Sequence, residues 1–199
     1  MQTESLLDGL RAELLRHAAC CPAQSALAAS FIALLDEADA FERRRLAGHF
    51  TASAWLVDRS GCRVLLTHHR KLGMWLQLGG HADGDRDLAR AALREAEEES
   101  GLPDLRVEGG IFDIDRHRIP EHKGVPAHWH HDVRYVVRAG ETENFVVSDE
   151  SHDLAWRDIA ALAVDGEADP SLRRMARKWL EGQGPVAGQD CARRMKAAS

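Results

Sequence analysis

Three glutamates near the middle of the chain have the spacing best suited to chemistry. A helix turns about 100° per residue, so Glu95, Glu98 and Glu99 would place their carboxylates on one face. Like charges at this spacing destabilise a free helix by roughly a few tenths of a kcal/mol per pair. A divalent cation reverses that effect, because Mg²⁺ and Mn²⁺ prefer hard oxygen ligands. The pattern predicts either a solvated acidic face or a divalent-metal site.

The residues around these glutamates indicate how such a helix would be held. Arg94 lies one turn before Glu98, placed to pair with its carboxylate and fix its rotamer. The adjacent face, which could dock on a sheet, is apolar and consists of Ala89, Ala92, Leu93 and Ala96. We predict a helix from about Asp87 to Ser100, closed by Gly101 and stopped by Pro103.

The remaining elements follow from the period of the apolar residues. Residues 1 to about 48 are predicted to form two or three amphipathic helices that pack on the main domain. From near Thr51 the pattern is that of a hairpin. Further strands are predicted over 106–113, 132–138 and 154–156. A short helix near Ile159 and a longer one over 171–180 come last, and this mixture is typical of an α/β or α+β sandwich.

The segment around the glutamates resembles the Nudix box. That box reads Gly, five residues, Glu, seven residues, then Arg-Glu-apolar-any-Glu-Glu-any-Gly-apolar. The positions that match in register are Gly80, Arg94, Glu95, Ala96, Glu98, Glu99, Gly101 and Leu102. The stretch 75–85 also resembles a bacterial subgroup that has a GGHADGD-type box and a poorly known substrate. So many matches at fixed spacing favour the metal site over a merely solvated acidic face.

The resemblance implies a fold and an activity. The expected fold is an α/β/α sandwich around a mixed sheet. The expected organisation is a helical extension over 1–48, a Nudix hydrolase domain over 49–181 and a loose tail over 182–199. The implied enzyme is a pyrophosphohydrolase that uses Mg²⁺ or Mn²⁺ to cleave a phosphoanhydride bond in a nucleoside-diphosphate-linked substrate. The alternative is a catalytically weak Nudix-fold module that binds a nucleotide or sugar-nucleotide ligand.

The resemblance also implies roles for individual residues. The implied metal ligands are Glu95, Glu98, Glu99 and the Gly79 carbonyl. Glu98 or Glu150 would accept the proton of the attacking water, and the sequence does not choose between them. Arg94 completes the implied catalytic group.

One box position departs from the pattern, because Arg86 stands where the box has its first glutamate. In the family that acid supports the metal site without forming the core of its ligand set. Asp83, Asp85 and Asp87 surround the position and could substitute for it. The departure favours the binding module, whereas the complete glutamate set favours the enzyme. A prenyl-diphosphate isomerase would need a cysteine acid, and Cys62 in the early hairpin is a poor candidate.

The eleven histidines are a second feature of the chain. If 128–136 is extended, one face of the strand consists of His128, His130, Asp132 and Arg134. Three interpretations stay open: structural histidines, contacts with substrate phosphates, or a zinc or second-metal site, since His-x-His on a strand converges two imidazoles. The candidate substrate-binding residues are His81, His128, His130 and Arg134.

Composition and charge limit the partners. A formal charge of -6 argues against stable nucleic-acid binding and against an anionic membrane, but not against a phosphorylated small molecule. The cysteines lack zinc-site spacing, which favours reduced thiols in the cytoplasm; they are Cys20, Cys21, Cys62 and Cys191. The expected partner is a small nucleotide-like substrate. Dimers are common among the relatives, so a homodimer is a further expectation.

Overall fold

The structure is a computed structural model that describes residues 2–69, 73–121, 124–146 and 151–183. The helices are α1 (Gln2–Cys20), α2 (Ser25–Leu34), α3 (Leu88–Ser100), α4 (Ile159–Val164) and α5 (Pro170–Lys178). The strands are β1 (His49–Val57), β2 (Arg63–His69), β3 (Met74–Leu76), β4 (Leu78–His81), β5 (Arg106–Ile119), β6 (His128–Arg138) and β7 (Ser151–Asp158). A 3₁₀ turn at Pro22–Gln24 precedes α2, and a π-helical turn at Trp179–Gln183 follows α5. The predicted mixed α/β class is confirmed.

The strands form one mixed seven-stranded sheet. Its order is β3-β2-β1-β6-β5, and β4 additionally pairs with β1 while β7 pairs with β2. The predicted hairpin is β1 and β2, which run antiparallel with Val57 opposite Val64. Strand β2 is also antiparallel to β7, where Leu65 lies opposite Trp156. Strand β1 therefore has β2, β4 and β6 as hydrogen-bonded neighbours.

The structure differs from the sequence prediction at several boundaries. The observed strands β5, β6 and β7 are longer than the sequence predicted. Strands β3 and β4 were not predicted, because each is only three or four residues long. The end of the predicted helical region, 35–48, consists of turns. There the backbone N–H groups of Glu37 and Ala40 bond to carbonyls three residues back, and the side chains of Ala40 and Phe41 are buried. The chain therefore continues after α2 as a series of partly buried turns and not as a helix.

The chain divides into two compact units, of which the first comprises Met1–Ser53, Gly80–Ala92 and Gly110–Tyr135. In this unit the Glu13 carboxylate of α1 accepts the N–H of Ile111 at 3.2 Å. Gln24 donates to the Ile114 carbonyl at 2.8 Å. These bonds tie α1 and the 3₁₀ turn before α2 to β5 within this unit.

The second unit comprises Ala54–Gly79, Leu93–Gly109 and Val136–Ser199. Its core cluster of buried residues consists of Ala54, Leu56, Leu65, Leu78, Ala96, Leu102, Leu105, Val137, Ala139 and Leu154. Leu93 packs against this cluster from α3. The predicted apolar face of the glutamate-bearing helix is therefore confirmed, and its burial orients the helix. Within the described part of the chain, no helix combines the length and apolar character that a bilayer span requires.

Both ends of α3 carry local capping contacts. The Asp87 carboxylate accepts the N–H of Arg90 at 3.0 Å, which satisfies one backbone donor of the first turn. At the other end Gly101 has φ +65° and donates its N–H to the Glu97 carbonyl at 2.9 Å. A residue in this left-handed conformation ends a helix at little cost only when it is glycine. The predicted start and stop of the helix are thus confirmed.

Candidate functional site

A hydrogen bond joins the glutamate helix to the glycine pair that precedes it. The Glu99 Oε1 atom accepts the backbone N–H of Gly79 at 2.8 Å. Glu99 is half-buried, so this bond fixes its carboxylate beside the peptide of Gly79. Two of the predicted metal ligands are therefore neighbours in the structure.

Arg94 pairs with two of the three glutamates, but unequally. Its Nη2 atom lies 2.9 Å from Glu95 Oε1, whereas its Nε atom lies 3.9 Å from Glu98 Oε1. The sequence predicted the Glu98 pair; the shorter contact is with the adjacent Glu95. The Glu95 side chain is 17% exposed and that of Glu98 is 64% exposed, so the latter presents its carboxylate to solvent. The set supplies oxygen donors, which is the chemistry that Mg²⁺ and Mn²⁺ select.

The acids around Arg86 each have a contact of their own. The Asp83 carboxylate pairs with Arg43, and the Asp85 carboxylate pairs with Arg90 at 2.7 Å. Asp87 caps α3. All three acids therefore carry local structural contacts, and the idea that one of them substitutes for the missing box glutamate stays a prediction.

Three histidines from three strands form a compact cluster. The ring centroids of His49 and His81 lie 5.3 Å apart, those of His49 and His130 4.9 Å apart, and those of His81 and His130 5.1 Å apart. One ring nitrogen from each lies within 4.8 Å of the other two. Strand β1 brings them together, because it is hydrogen-bonded to both β4 and β6. We call His49, His81 and His130 the histidine cluster.

His49 is the buried member of the histidine cluster. Its side chain is 0% exposed, and its Nδ1 atom lies 3.1 Å from the Arg45 carbonyl. That contact requires a proton on Nδ1, which leaves a lone pair on Nε2. The Nε2 atom is buried without a hydrogen-bond partner among the described residues. Buried polar atoms of this kind are rare in proteins and call for a ligand or another explanation.

A fourth histidine adjoins the cluster. The Nδ1 atom of His128 lies 2.8 Å from the Pro126 carbonyl, and its Nε2 atom lies 3.2 Å from Nε2 of His130. A neutral His128 that donates to the carbonyl has only a lone pair on Nε2. His130 must therefore donate its Nε2 proton, which leaves the lone pair of His130 on Nδ1.

The environment keeps the histidine cluster uncharged. Burial lowers the pKa of His81 to about 4, with a further contribution from the nearby His49. Burial likewise lowers the pKa of His49, and it lowers that of His130 still further. These shifts favour neutral imidazoles that carry lone pairs at neutral pH. Contact of these rings with substrate phosphates stays a prediction.

Arg134, predicted to bind substrate, lies inside the protein. Its side chain is 2% exposed and contacts Asp132 at 2.7 Å, Asp115 at 3.1 Å and Asp113 at 3.5 Å. Burial opposes its charge, but the three carboxylates outweigh burial and raise its pKa. Burial would also raise the pKa of Asp132, and Arg134 reverses this and lowers it. Substrate contact by Arg134 stays a prediction, and the structure shows its guanidinium engaged in an ion-pair network.

The predicted alternation of β6 is confirmed on both faces. His128, His130 and Arg134 follow one side, as described above. On the other side Trp129 stacks beneath Arg116, whose Cζ lies 4.8 Å from the ring centroid. His131 lies edge-on to Phe31 at 5.1 Å.

Sequence reasoning missed His49, and one predicted site residue, Glu150, lies outside the described residues. His49 follows Gly48 at the start of β1 and belongs to no local motif, so only strand pairing brings it to His81 and His130. Glu150, the candidate second base, falls within the undescribed segment 147–150.

One protein-family model and several solved structures match this chain. A model described as the NUDIX domain matches residues 48–179, well over half of the chain. A NUDIX-family hydrolase from Clostridium perfringens is 24% identical, with 65% of this chain and 94% of that chain covered at a TM-score of 0.52. The MutT protein of Methanosarcina mazei Go1 is 16% identical, with 70% and 97% covered at a TM-score of 0.55. At these identities the structural likeness establishes the fold.

The Nudix hydrolase RenU of M. smegmatis is also similar. It is 24% identical, with 68% of this chain and 86% of that chain covered at a TM-score of 0.50. Among proteins with curated annotation, none matches significantly. The family match includes the glutamate helix, the glycine pair and all seven strands. The chain therefore belongs to the Nudix family of hydrolases.

Proposed function

We propose that this Nudix pyrophosphohydrolase cleaves a phosphoanhydride bond in a nucleoside-diphosphate-linked substrate, with Mg²⁺ or Mn²⁺ as its cofactor. The observation that carries the proposal is the bond between the Glu99 carboxylate and the Gly79 N–H. It holds a glutamate of the box helix beside the backbone that would supply a further oxygen. Hydrogen bonds that orient a ligand in advance strengthen metal binding.

The donor set fits a hard divalent cation. The proposed ligands are Glu95, Glu98, Glu99 and the Gly79 carbonyl, and all of them offer oxygen. A divalent ion would supply charge neutralisation on the phosphate oxygens and would lower the pKa of a water molecule. Without a cation, the three carboxylates on one helix would repel one another.

The chain's own residues would then divide the remaining work. Glu98 is the more exposed carboxylate and is suited to accept the proton of the attacking water. Arg94 would act as a positioning residue, since it contacts Glu95 closely and Glu98 at longer range. Glu150 stays the second candidate base, and its position lies outside the described residues.

Substrate contacts and location complete the proposal. His81, His128 and His130 lie together and stay the candidate substrate-binding residues, whereas the buried ion pairs of Arg134 support a structural role for it. Cys20 and Cys62 are free thiols, which fits a reducing compartment such as the cytoplasm. A homodimer is part of the proposal on family grounds alone.

A substrate panel tests the proposed function. Purified protein is incubated with ADP-ribose, nucleotide sugars, dinucleoside polyphosphates, oxidised dNTPs and NADH, each with Mg²⁺, with Mn²⁺ and with chelator. We expect at least one substrate to be cleaved, only with metal, and Glu98→Gln to lower kcat by about 10²-fold or more. Glu97→Gln is the matched control, because Glu97 is an exposed neighbour on the same helix that lies outside the proposed ligand set.

Two results would count against the proposal. Cleavage that continues in chelator would remove the metal from the mechanism. A ligand that binds tightly yet stays intact with metal present would favour the non-cleaving binding module instead.

A further inference from the structure

The histidine cluster offers donors of a different kind from those of α3. Its three rings present imidazole nitrogens, whereas the glutamates present carboxylate oxygens. Imidazole nitrogen suits Zn²⁺, Co²⁺, Ni²⁺ and Cu²⁺, and oxygen suits Mg²⁺ and Mn²⁺. The two sets would therefore select different ions from the same solution.

The spacing of the cluster is close to that of a tetrahedral metal site. Its ring centroids form a nearly equilateral triangle with sides of 4.9, 5.1 and 5.3 Å. One nitrogen from each ring lies within 4.8 Å of the others. Nitrogens that share a zinc ion at about 2.0–2.1 Å lie roughly 3.3 Å apart. Small side-chain rotations of the partly exposed His81 and His130 would close that gap around the buried His49.

His49 has the contacts of a metal-ligating histidine. One ring nitrogen is anchored on the Arg45 carbonyl, and the other is buried without a hydrogen-bond partner among the described residues. Ligating histidines almost always donate their second ring N–H to a carbonyl, a carboxylate or water, which fixes the tautomer. The lone pair of His49 Nε2 is therefore available to a cation.

A chain of hydrogen bonds prepares His130 in the same way. The Pro126 carbonyl fixes the proton of His128, and His128 Nε2 then accepts the proton of His130 Nε2. The remaining lone pair of His130 is on Nδ1. His128 is thus a positioning residue for a ligand.

We propose that His49, His81 and His130 together bind one transition-metal ion, of which Zn²⁺ is the expected one, with no carboxylate of α3 among its ligands. Three protein ligands leave a fourth tetrahedral position for water or for an oxygen of a bound molecule. A ring nitrogen that binds a cation through its lone pair carries no proton. Such a nitrogen would therefore not donate a hydrogen bond to a substrate phosphate. The inference stands whether or not the proposed hydrolysis is found.

Cobalt substitution tests the site without reference to activity. The full-length protein is stripped with chelator, dialysed and titrated with Co²⁺ in the absence of Mg²⁺ and Mn²⁺. We expect one equivalent to bind with the intense visible d–d absorption of a tetrahedral nitrogen site, and Zn²⁺ to displace it. His81→Gln and His130→Gln, which change partly exposed rings, should each weaken binding by at least about 100-fold.

Matched controls separate this site from the glutamates and from misfolding. His68→Gln changes a histidine of β2 outside the cluster and should bind Co²⁺ as the wild type does. Glu98→Gln should also retain the cobalt spectrum. Far-UV circular dichroism of every variant verifies folding, and His49→Gln is interpreted only if that spectrum is unchanged.

Three outcomes overturn the proposal. The first is the absence of any tetrahedral cobalt spectrum in folded wild-type protein. The second is binding that both folded histidine variants retain at full strength. The third is binding that Glu98→Gln abolishes and the histidine variants keep, since that would assign the ion to the carboxylates of α3.

Discussion

The carboxylate of Glu99 and the backbone N–H of Gly79 are joined by a hydrogen bond of 2.8 Å. The bond links a side chain on the last turn of α3 to Gly79, the residue just before the first glycine of the box. Its consequence is that a change at Glu99 should act on both the charge of the proposed metal site and the placement of the Gly79 peptide.

Replacement of Glu99 by glutamine separates these two effects. The amide keeps an oxygen that can accept from Gly79 but removes the negative charge. We expect kcat to fall by about 10–100-fold and the Mn²⁺ concentration for half-maximal activity to rise. Glu99→Ala, which removes the acceptor as well, should be at least as impaired, and Glu97→Gln should be close to wild type. Wild-type metal dependence in Glu99→Gln would exclude Glu99 as a ligand.

The buried network around Arg134 predicts a large effect on stability. Arg134→Met would leave the carboxylates of Asp113 and Asp132 buried without their cation. Removing one partner of a buried ion pair costs about 3–5 kcal/mol in the free energy of unfolding, which urea denaturation would measure.

An exposed pair serves as the control for that measurement. Arg59 pairs with Glu141 at the surface, where both side chains are more than half exposed, so Arg59→Met should cost less than about 1 kcal/mol. An Arg134→Met protein of wild-type stability with a raised KM would instead reveal the predicted substrate contact.

The single tyrosine of the chain predicts a loss of stability in alkali. Burial raises the pKa of Tyr135, with Glu13 and Asp87 as further contributors. Above about pH 10 the unfolded chain releases the phenol proton while the folded chain retains it. The free energy of unfolding should therefore be unaffected by this group below about pH 10 and fall by up to about 1.4 kcal/mol per pH unit above it.

A comparison of wild type with Tyr135→Phe isolates this effect. Urea denaturation at about pH 9 and at about pH 11 should give a larger drop for the wild type than for the variant. Because the chain has no other tyrosine, phenolate absorbance reports the group directly. Its appearance near pH 10 in protein that is still folded would contradict the prediction.

Gly101 should resist substitution for a backbone reason. Its φ of +65° is strained for any residue with a side chain, and an added Cβ would lie 3.3 Å from the Cβ of Val146. We expect Gly101→Ala to lower the free energy of unfolding by about 1–2 kcal/mol. Gly9→Ala is a control with the opposite expected sign, because Gly9 lies within α1 with open space around it, and alanine there should stabilise by about 0.5–1 kcal/mol. Equal effects at the two glycines would refute this account.

Sequence alone determined what depends on local spacing. The period of the helix sets which side chains share a face, so the grouping of Glu95, Glu98 and Glu99 and the ends of α3 at Asp87 and Gly101 could be predicted from residues within three turns of one another. The alternation of side chains along β6 could be predicted by the same kind of local rule. The resemblance to the family could also be recognised locally, because it rests on fixed spacing within one segment.

Tertiary structure alone decided which distant residues meet. His49 joins His81 and His130 only because β1 is hydrogen-bonded to both β4 and β6, and strand pairing depends on packing over the whole sheet. The burial of Arg134 among carboxylates from β5 and β6 was likewise invisible in a pattern that places it beside the histidines on one strand. Periodicity tells which way a side chain points along its own strand, but the partner it meets is set by the strand that packs beside it.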